Sequence, residues 1–291
     1  MTRYDAFIKI IETGSFSKAA QELGYTQSAI SQMIHALEEE LNTTLIVRSR
    51  KGISLTPDGK EFLPYINSVY NAHRELLEKK REMEGLQSGT VRIGTFSSVS
   101  ANWLPGLMQD FKERYPSVHF ELHQGEYTSI SNWIKEGSVD FGFINPLAVH
   151  DIATSFLSED ELLAVLPFGH ALSRQTTVTF QELSKEPFIL LAEGDFNDPL
   201  YFFRQNHLEP NIQYLVHDDY TIMSMVEKNM GIAILPKLVL TRCHFNVVIK
   251  SLSPAVSRTI SLGYKNKKVL PVASRYFMDF ILHHFDAFSS F

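Results

Sequence analysis

Ser17-Lys18-Ala19-Ala20-Gln21-Glu22-Leu23-Gly24-Tyr25-Thr26-Gln27-Ser28-Ala29-Ile30-Ser31-Gln32 decides how the N-terminal part of this chain is read. Ser17 can cap a short helix over Lys18–Leu23, in which Ala19 and Ala20 are small enough to let another helix approach closely. Gly24 is placed to stop that helix, because glycine enters the left-handed conformation at no steric cost. Thr26 then caps a further helix from Gln27 to about Leu41. Its inner stripe, Ile30, Ile34, Leu37 and Leu41, recurs at intervals of 4, 3 and 4 residues. Upstream, Thr2 and Asp5 have the spacing of a capping box, and Tyr4, Phe7 and Ile11 follow at helical intervals. That predicts a first helix to about Glu12, stopped by Gly14.

Two helices joined by a tight glycine-containing turn, the second amphipathic, form the unit that seats its second helix in the DNA major groove. The outward face of that helix carries Gln27, Ser28, Ser31, Gln32 and His35. An amide pairs with adenine in bidentate fashion, and hydroxyls reach bases or phosphates. The same residues would equally serve a solvated surface helix. Downstream, Leu45-Ile46-Val47 and Ile53-Ser54-Leu55 read as short strands flanking Arg48-Ser49-Arg50-Lys51-Gly52. This is a hairpin with a basic tip, a wing that aims Arg48, Arg50 and Lys51 at phosphate or the minor groove. The charge is sorted rather than abundant: the whole chain carries −6, and the first 65 residues hold seven Lys and Arg against eight Asp and Glu.

Gly14-Ser15-Phe16-Ser17-Lys18-Ala19-Ala20, Gln27-Ser28-Ala29-Ile30-Ser31, Ala36-Leu37-Glu38-Glu39-Glu40-Leu41 and Leu55-Thr56-Pro57-Asp58-Gly59 together resemble the N-terminal signature of LysR-type transcriptional regulators. The resemblance implies contacts to double-stranded DNA from Gln27, Ser28, Ser31, Gln32 and His35, with Arg48 and the wing on the backbone. It implies a homodimer or homotetramer, a small-molecule effector, and RNA polymerase as a further partner. The family often has a cationic residue where this chain has Gln32, and again where it has His35. Its reading face is therefore less positive than usual, and a preferred base sequence cannot be copied from relatives.

A long helix follows. Thr56 caps it, Pro57 occupies its first position, and Asp58 complements the helix dipole. Phe62, Ile66, Val69, His73 and Leu76 recur at 4, 3, 4 and 3, a seam built for a partner helix. The helix runs to about Glu84, roughly 40 Å at 1.5 Å per residue, with Pro64 removing one of its hydrogen bonds and Gly85 and Gly89 forming a hinge. A helix of this length on so small a domain lacks intrachain surface for its seam, so a second chain is expected, and in the resembled family the matching helix is an antiparallel dimer arm.

From Thr90 onward, short apolar strands alternate with helices: Val91–Gly94, His119–Gly125 and Val139–Asn145 with helices near Asn102–Tyr115 and Thr128–Gly137. A second set comprises strands at Leu162–Leu166, Phe188–Leu191, Gln213–His217, Ile232–Leu235 and Val247–Leu252, a return strand Arg258–Tyr264 and a closing helix from Val272. The alternation implies parallel sheet covered on both faces. The expected fold is therefore α/β with an all-α/winged N-terminal domain. A winged helix-turn-helix spans residues 1–58 and a linker helix with its hinge residues 59–89. A two-lobed, periplasmic-binding-protein-like effector domain spans residues 90–291, with lobe I at 90–161 and 266–291 and lobe II at 162–265. Ligands in such folds sit beyond the carboxyl ends of strands. Three loops qualify there: Phe96-Ser97-Ser98-Val99-Ser100, Glu126-Tyr127-Thr128-Ser129 and Ala192-Glu193-Gly194-Asp195-Phe196. Hydroxyls and amides at helix starts favour a small anion, and the resemblance points to Ser97, Ser98 and Thr128 as the first-lobe contacts, with Glu193 and Phe196 of the 192–196 loop as the other candidate effector contacts. Glu126, Glu193 and Asp195 warn against a strongly anionic effector.

Other function classes find little support. No Gly-x-Ser-x-Gly turn, phosphate loop or Gly-x-Gly-x-x-Gly fingerprint is present; neither a metal nor a cofactor is expected, nor an enzyme on a two-lobed scaffold. Cys243 is the lone cysteine, which rules out an intrachain disulfide and suits a reducing compartment. No apolar run reaches membrane-spanning length, and the N-terminus lacks the profile of a secretory signal, so a cytoplasmic protein without a membrane partner is expected. A solute-binding protein with no DNA role is the chief alternative, since the second domain alone would support it.

Overall fold

The computed structural model describes residues 2–49, 52–83 and 88–288. Backbone contacts divide the chain into two compact units, one built mainly from residues 1–84 and the other mainly from 85–291.

The first unit contains α1 (Arg3–Thr13), α2 (Phe16–Leu23), α3 (Gln27–Glu40), β1 (Ile46–Ser49), β2 (Gly52–Leu55) and α4 (Pro57–Met83). Thr2 and Asp5 form the expected capping box, and Gly14 and Gly24 end α1 and α2 with φ of 63° and 72°. The cap of α2 is Ser15, not Ser17: Gly14 turns the chain, Ser15 is left extended, and its hydroxyl accepts from the Lys18 amide at 3.3 Å. Thr26 caps α3, accepting from the Ala29 amide at 3.2 Å. Ile30, Ile34 and Leu37 are buried and pack with Phe7, Ile10, Ala19 and Leu45 into one core. β1 and β2 form the wing, antiparallel, with Arg48 opposite Ile53. Glu38 ties α3 to the wing by accepting the Leu45 and Ile46 amides at 2.8 and 3.2 Å. Gly59 is dictated by close approach, since a Cβ there would stand 2.2 Å from the Leu45 carbonyl oxygen.

Helix α4 has 27 residues and carries Pro64 in its interior. Its seam divides. Ile66 is buried in the core of the first unit with Phe62 beside it, whereas Val69 and Leu76 are 45% and 67% exposed. The start of the helix therefore does find intrachain surface, contrary to the reading of its whole seam as unpartnered; beyond Ile66, Tyr70 still packs on that core and His73 is half-buried, while Val69 and Leu76 are exposed.

The second unit runs β3 (Gly89–Thr95), α5 (Ser97–Asn102), α6 (Leu104–Arg114), β4 (Val118–Gln124), α7 (Tyr127–Glu136), β5 (Phe141–Ile144), β6 (Ala153–Pro167), β7 (Thr177–Thr179), α8 (Phe180–Leu183), β8 (Pro187–Leu191), α9 (Asp198–Gln205), β9 (Asn211–Val216), α10 (Asp219–Glu227), β10 (Ala233–Pro236), α11 (Lys237–Leu240), β11 (Val247–Ser253), β12 (Ser257–Tyr264) and α12 (Val272–Phe288). The helix expected near 102–115 is α6, with Pro105 in its first turn, where no amide hydrogen is needed, and the short α5 precedes it without having been expected.

The first lobe orders its strands β4-β3-β5-β12-β6. β3 is parallel to both neighbours, while β12 is antiparallel to β5 and β6. In the second lobe β10 and β11 flank the far half of β6 antiparallel, β7 lies parallel to β11, and β8 and β9 form a parallel pair bridged to Ile232 just before β10. The sheets are thus mixed, not purely parallel as the alternation of elements suggested. Strand β6, 15 residues long, belongs to both lobes. Only its apolar second half announces a strand, because the first half, Ala153–Glu159, is largely exposed. The return strand β12 lies in the first lobe's sheet, so the chain crosses back before residue 257 and not near 266.

Phe111, Phe141, Phe143 and Phe277 centre the first lobe's core. The second lobe buries Leu162, Ala164 and Leu166 with Phe188 and Phe203 on one side, and Leu163 and Val165 with Met223 and Leu235 on the other.

Candidate DNA-reading face and ligand cleft

The sequence-predicted residues of α3 share one face. Gln27, Ser28, Gln32 and His35 are exposed and Ser31 is half-buried, opposite the buried stripe. The Thr26 and Ser28 hydroxyls lie 3.0 Å apart, and His35 Nδ1 lies 3.4 Å from Glu39 Oε1. Among the described residues no hydrogen bond engages the amides of Gln27 or Gln32. The arrangement leaves both amides available to base edges on a helix whose other side is fixed by the core. Arg48 belongs to β1; Arg50 and Lys51 lie outside the described residues.

In the second unit the lobes meet around Arg258, which the sequence reading missed. Arg258 on β12 and Asp160 on β6 are register partners, 3% and 6% exposed. The guanidinium donates from Nε and Nη2 to Asp160 Oδ2 at 3.0 and 2.8 Å, from Nη2 to Ser98 Oγ at 2.8 Å and from Nη1 to Tyr127 Oη at 3.3 Å. It also lies 4.8 Å from the centre of the Phe96 ring. Tyr127 in turn donates to Asp198 Oδ2 at 3.1 Å, and Asn145 donates to Asp198 Oδ1 at 2.8 Å. Burial alone would lower the Arg258 pKa, but Tyr127, Asp160, Asp198 and Glu193 around it outweigh burial and raise it. The guanidinium therefore remains a fixed positive charge in the wall between the lobes.

A cavity of about 360 Å³ opens beside this network, with Phe96, Ser97 and Glu126 from the first lobe facing Glu193, Asp218 and Asp219 from the second. Of the expected effector contacts, Ser97 and Glu193 line it. Ser97 donates to Asp219 Oδ2 at 2.8 Å, a hydrogen bond between lobes. Ser98 departs from expectation: it is 4% exposed and its hydroxyl accepts from Arg258, so it braces the cleft wall from behind. Thr128 Oγ1 accepts from the Asp195 amide at 3.4 Å, closing the 192–196 loop over the first lobe. Phe196 packs its ring 6.5 Å from Tyr127 and 5.6 Å from Tyr201. Burial, opposed by Arg258 and reinforced by Asp198, Asp219 and Glu126, pushes Glu193 up to about 8. Burial likewise raises Asp219, against the hydrogen bond from Ser97.

Among the described residues no cluster of three or more His, Cys, Asp or Glu could hold a metal. Cys243 is half-buried at the edge of the second lobe's core. His170 caps the turn after β6, accepting from the Leu172 amide at 3.3 Å. No helix among the described residues is long and apolar enough to cross a membrane.

Comparison with known proteins covers both units. The pattern described as bacterial regulatory helix-turn-helix protein, lysR family, matches residues 1–60, and that described as LysR substrate binding domain matches residues 84–286. The chain is 32% identical over 291 residues to YvbU of Bacillus subtilis, an uncharacterized HTH-type transcriptional regulator, covering 99% of each chain. It is 32% identical over 286 residues to the transcriptional dual regulator GltC of the same organism, covering 96% of this chain and 95% of GltC. Full-length OxyR of Pseudomonas aeruginosa superimposes with a TM-score of 0.78 at 19% identity, covering 99% of this chain and 96% of OxyR, a likeness of fold. Head and cleft answer to one family along almost the whole chain, and the protein belongs to the LysR-type transcriptional regulators, DNA-binding proteins that carry a substrate-binding domain.

Proposed function

We propose that the protein reads a specific operator through the polar face of α3 and adjusts its grip on DNA, or its action on transcription, according to a small molecule in the cleft between the lobes. The observation that carries this reading is the geometry of α3, which presents unengaged Gln27 and Gln32 amides on a helix anchored by Ile30, Ile34 and Leu37. Ser28, Ser31 and His35 share the reading, with Arg48, Arg50 and Lys51 on the phosphate backbone. Ser97, Thr128, Glu193 and Phe196 form the ligand site, and Ser98 shapes it through Arg258. The exposed Val69, Leu76 and Leu77 of α4 are the seam of a homodimer, which itself pairs into a tetramer where operators demand it. Cytoplasmic location and contact with RNA polymerase follow from this role.

Ligand control requires different affinity for two arrangements of the subunits, because a ligand that binds both equally shifts nothing. Footprinting on the region upstream of the protein's own gene tests the reading. Sequence-dependent protection at low ionic strength supports it; uniform, salt-sensitive coating of all fragments removes the operator from the account.

A further inference from the structure

We propose that the ligand of the cleft carries a positively charged nitrogen, an ammonium or guanidinium group seated between Glu193 and Asp219. This rests on the cleft being the ligand site and adds the chemical class of what enters it.

Four carboxylates line the cavity, Glu126, Glu193, Asp218 and Asp219, against one imidazole, His217, and no lysine or arginine. Secondary structure accounts for two of them. Glu126 caps α7, accepting the Thr128 and Ser129 amides at 2.7 and 2.9 Å. Asp218 caps α10, accepting the Thr221 amide at 2.7 Å and its hydroxyl at 2.8 Å. The other two are left over. Asp219 is 8% exposed; its Oδ2 accepts a hydrogen bond from the Ser97 hydroxyl, while Oδ1 is buried with no hydrogen-bond partner among the described residues. A buried polar atom left unmatched is destabilising and rare in native proteins, and it marks a place where something else completes the set. Glu193, from the loop after β8 on the same lobe, receives no hydrogen-bond donor among the described residues.

Arg258 does not fill this gap, since Asp160, Ser98 and Tyr127 already engage its guanidinium. Mainly because it is buried, and with Asp198, Asp219 and Glu126 adding to the effect against Arg258, Glu193 keeps its proton near neutral pH. An anion entering the cavity would meet like charge. A cation supplies the donor that Asp219 Oδ1 lacks and displaces the Glu193 proton as it binds. A metal ion is the poorer cation here, because hard divalent ions take six or more oxygen ligands and no metal-holding cluster exists among the described residues. A cavity of about 360 Å³ suits a small organic cation.

The test is thermal unfolding of the full-length protein, followed by tryptophan fluorescence, with millimolar putrescine or agmatine. Succinate, phosphate, butanediol and magnesium chloride at matched ionic strength are the comparisons. The expected result is a raised Tm with an amine or guanidine probe and not with the others, a binding constant that improves from pH 6 toward pH 9 as Glu193 gives up its proton, and release of that proton detectable in weak buffer. Asp219→Asn and Glu193→Gln should each weaken the probe roughly 10- to 100-fold, and Asp219→Asn should also raise the Tm of the ligand-free protein, because it removes negative charge that nothing in the cavity balances. Stabilisation by succinate or phosphate without the amines overturns the cationic class while leaving the cleft as the ligand site. Stabilisation by magnesium alone overturns the organic cation. Amines inert toward the wild type, with Asp219→Asn lowering the ligand-free Tm, would assign the carboxylate to structure and end the inference. A sequence-specific footprint in any of these cases keeps the regulator reading intact.

Discussion

On α3 the polar side chains Gln27, Ser28, Gln32 and His35 stand in solvent, carried by a helix whose other side is core. At the lobe junction Arg258, Asp160, Ser98, Tyr127 and Asp198 are drawn out of water and matched to one another. The first region gathers its polar residues on one short segment; the second assembles them from positions as far apart as Ser98 and Arg258. Substitutions on α3 should therefore change recognition with little effect on stability, whereas substitutions at the junction should change stability first and recognition as a consequence. Both tryptophans, Trp103 and Trp133, lie in the second unit, so their fluorescence follows that unit alone.

The largest effect is expected from Arg258→Ala. Removing the guanidinium leaves Asp160 charged, buried and unpaired, a loss of about 3–5 kcal/mol for a pair this deeply buried. Denaturant unfolding read by tryptophan fluorescence should show a much earlier transition; an unmoved midpoint would break the comparison. Next comes pH. Between its ordinary value of 4.5 and about 8, Glu193 keeps its proton when folded and releases it when unfolded, so this residue makes the second unit less stable as pH rises through that window. Glu193→Gln should flatten the decline without abolishing it, since Asp198 and Asp219 are shifted the same way. A wild type equally stable at pH 5 and pH 8 would contradict the account.

On the other side of the comparison, Gln32→Ala should relax base preference by about 1–3 kcal/mol at one position of the operator, measured by competition between operator variants, with the tryptophan transition unmoved. If preference is unchanged, Gln32 does not read bases. The smallest effect belongs to Thr26→Ala, where loss of the cap should cost about 1 kcal/mol. Circular dichroism of the helical first unit should register it, and a second-unit transition that moved equally would blur the separation.

The same contrast explains what could be read from the chain alone. Helices α1 to α3 announce themselves through caps, glycine stops and a stripe of apolar residues, all within forty residues. The one error there, Ser17 for Ser15 as a cap, comes from two serines either side of Phe16, which only the left-handed turn at Gly14 separates. The cleft was legible as three loops but not as a network. Arg258 sits in a strand of otherwise ordinary composition, and its partner Asp160 is 98 residues away. Their pairing needs the antiparallel register of β12 against β6, which alternation of strands and helices does not specify. The acidic lining was partly visible in Glu126 and Glu193, while Asp219 stood unnoticed at the start of a helix where an aspartate is commonplace.

Strand β6 carries a mechanical consequence. Two lobes linked by slack connections swing apart by rotating a few loop torsions, but here one unbroken strand is a structural member of both sheets. Any change of angle between the lobes must bend that strand or shear its ladder against β12, close to the buried Arg258–Asp160 pair. On the proposed reading of the cleft as a ligand site, a strand shared in this way would act as a flexure, and ligand entry would produce a small, directed displacement in place of a wide opening.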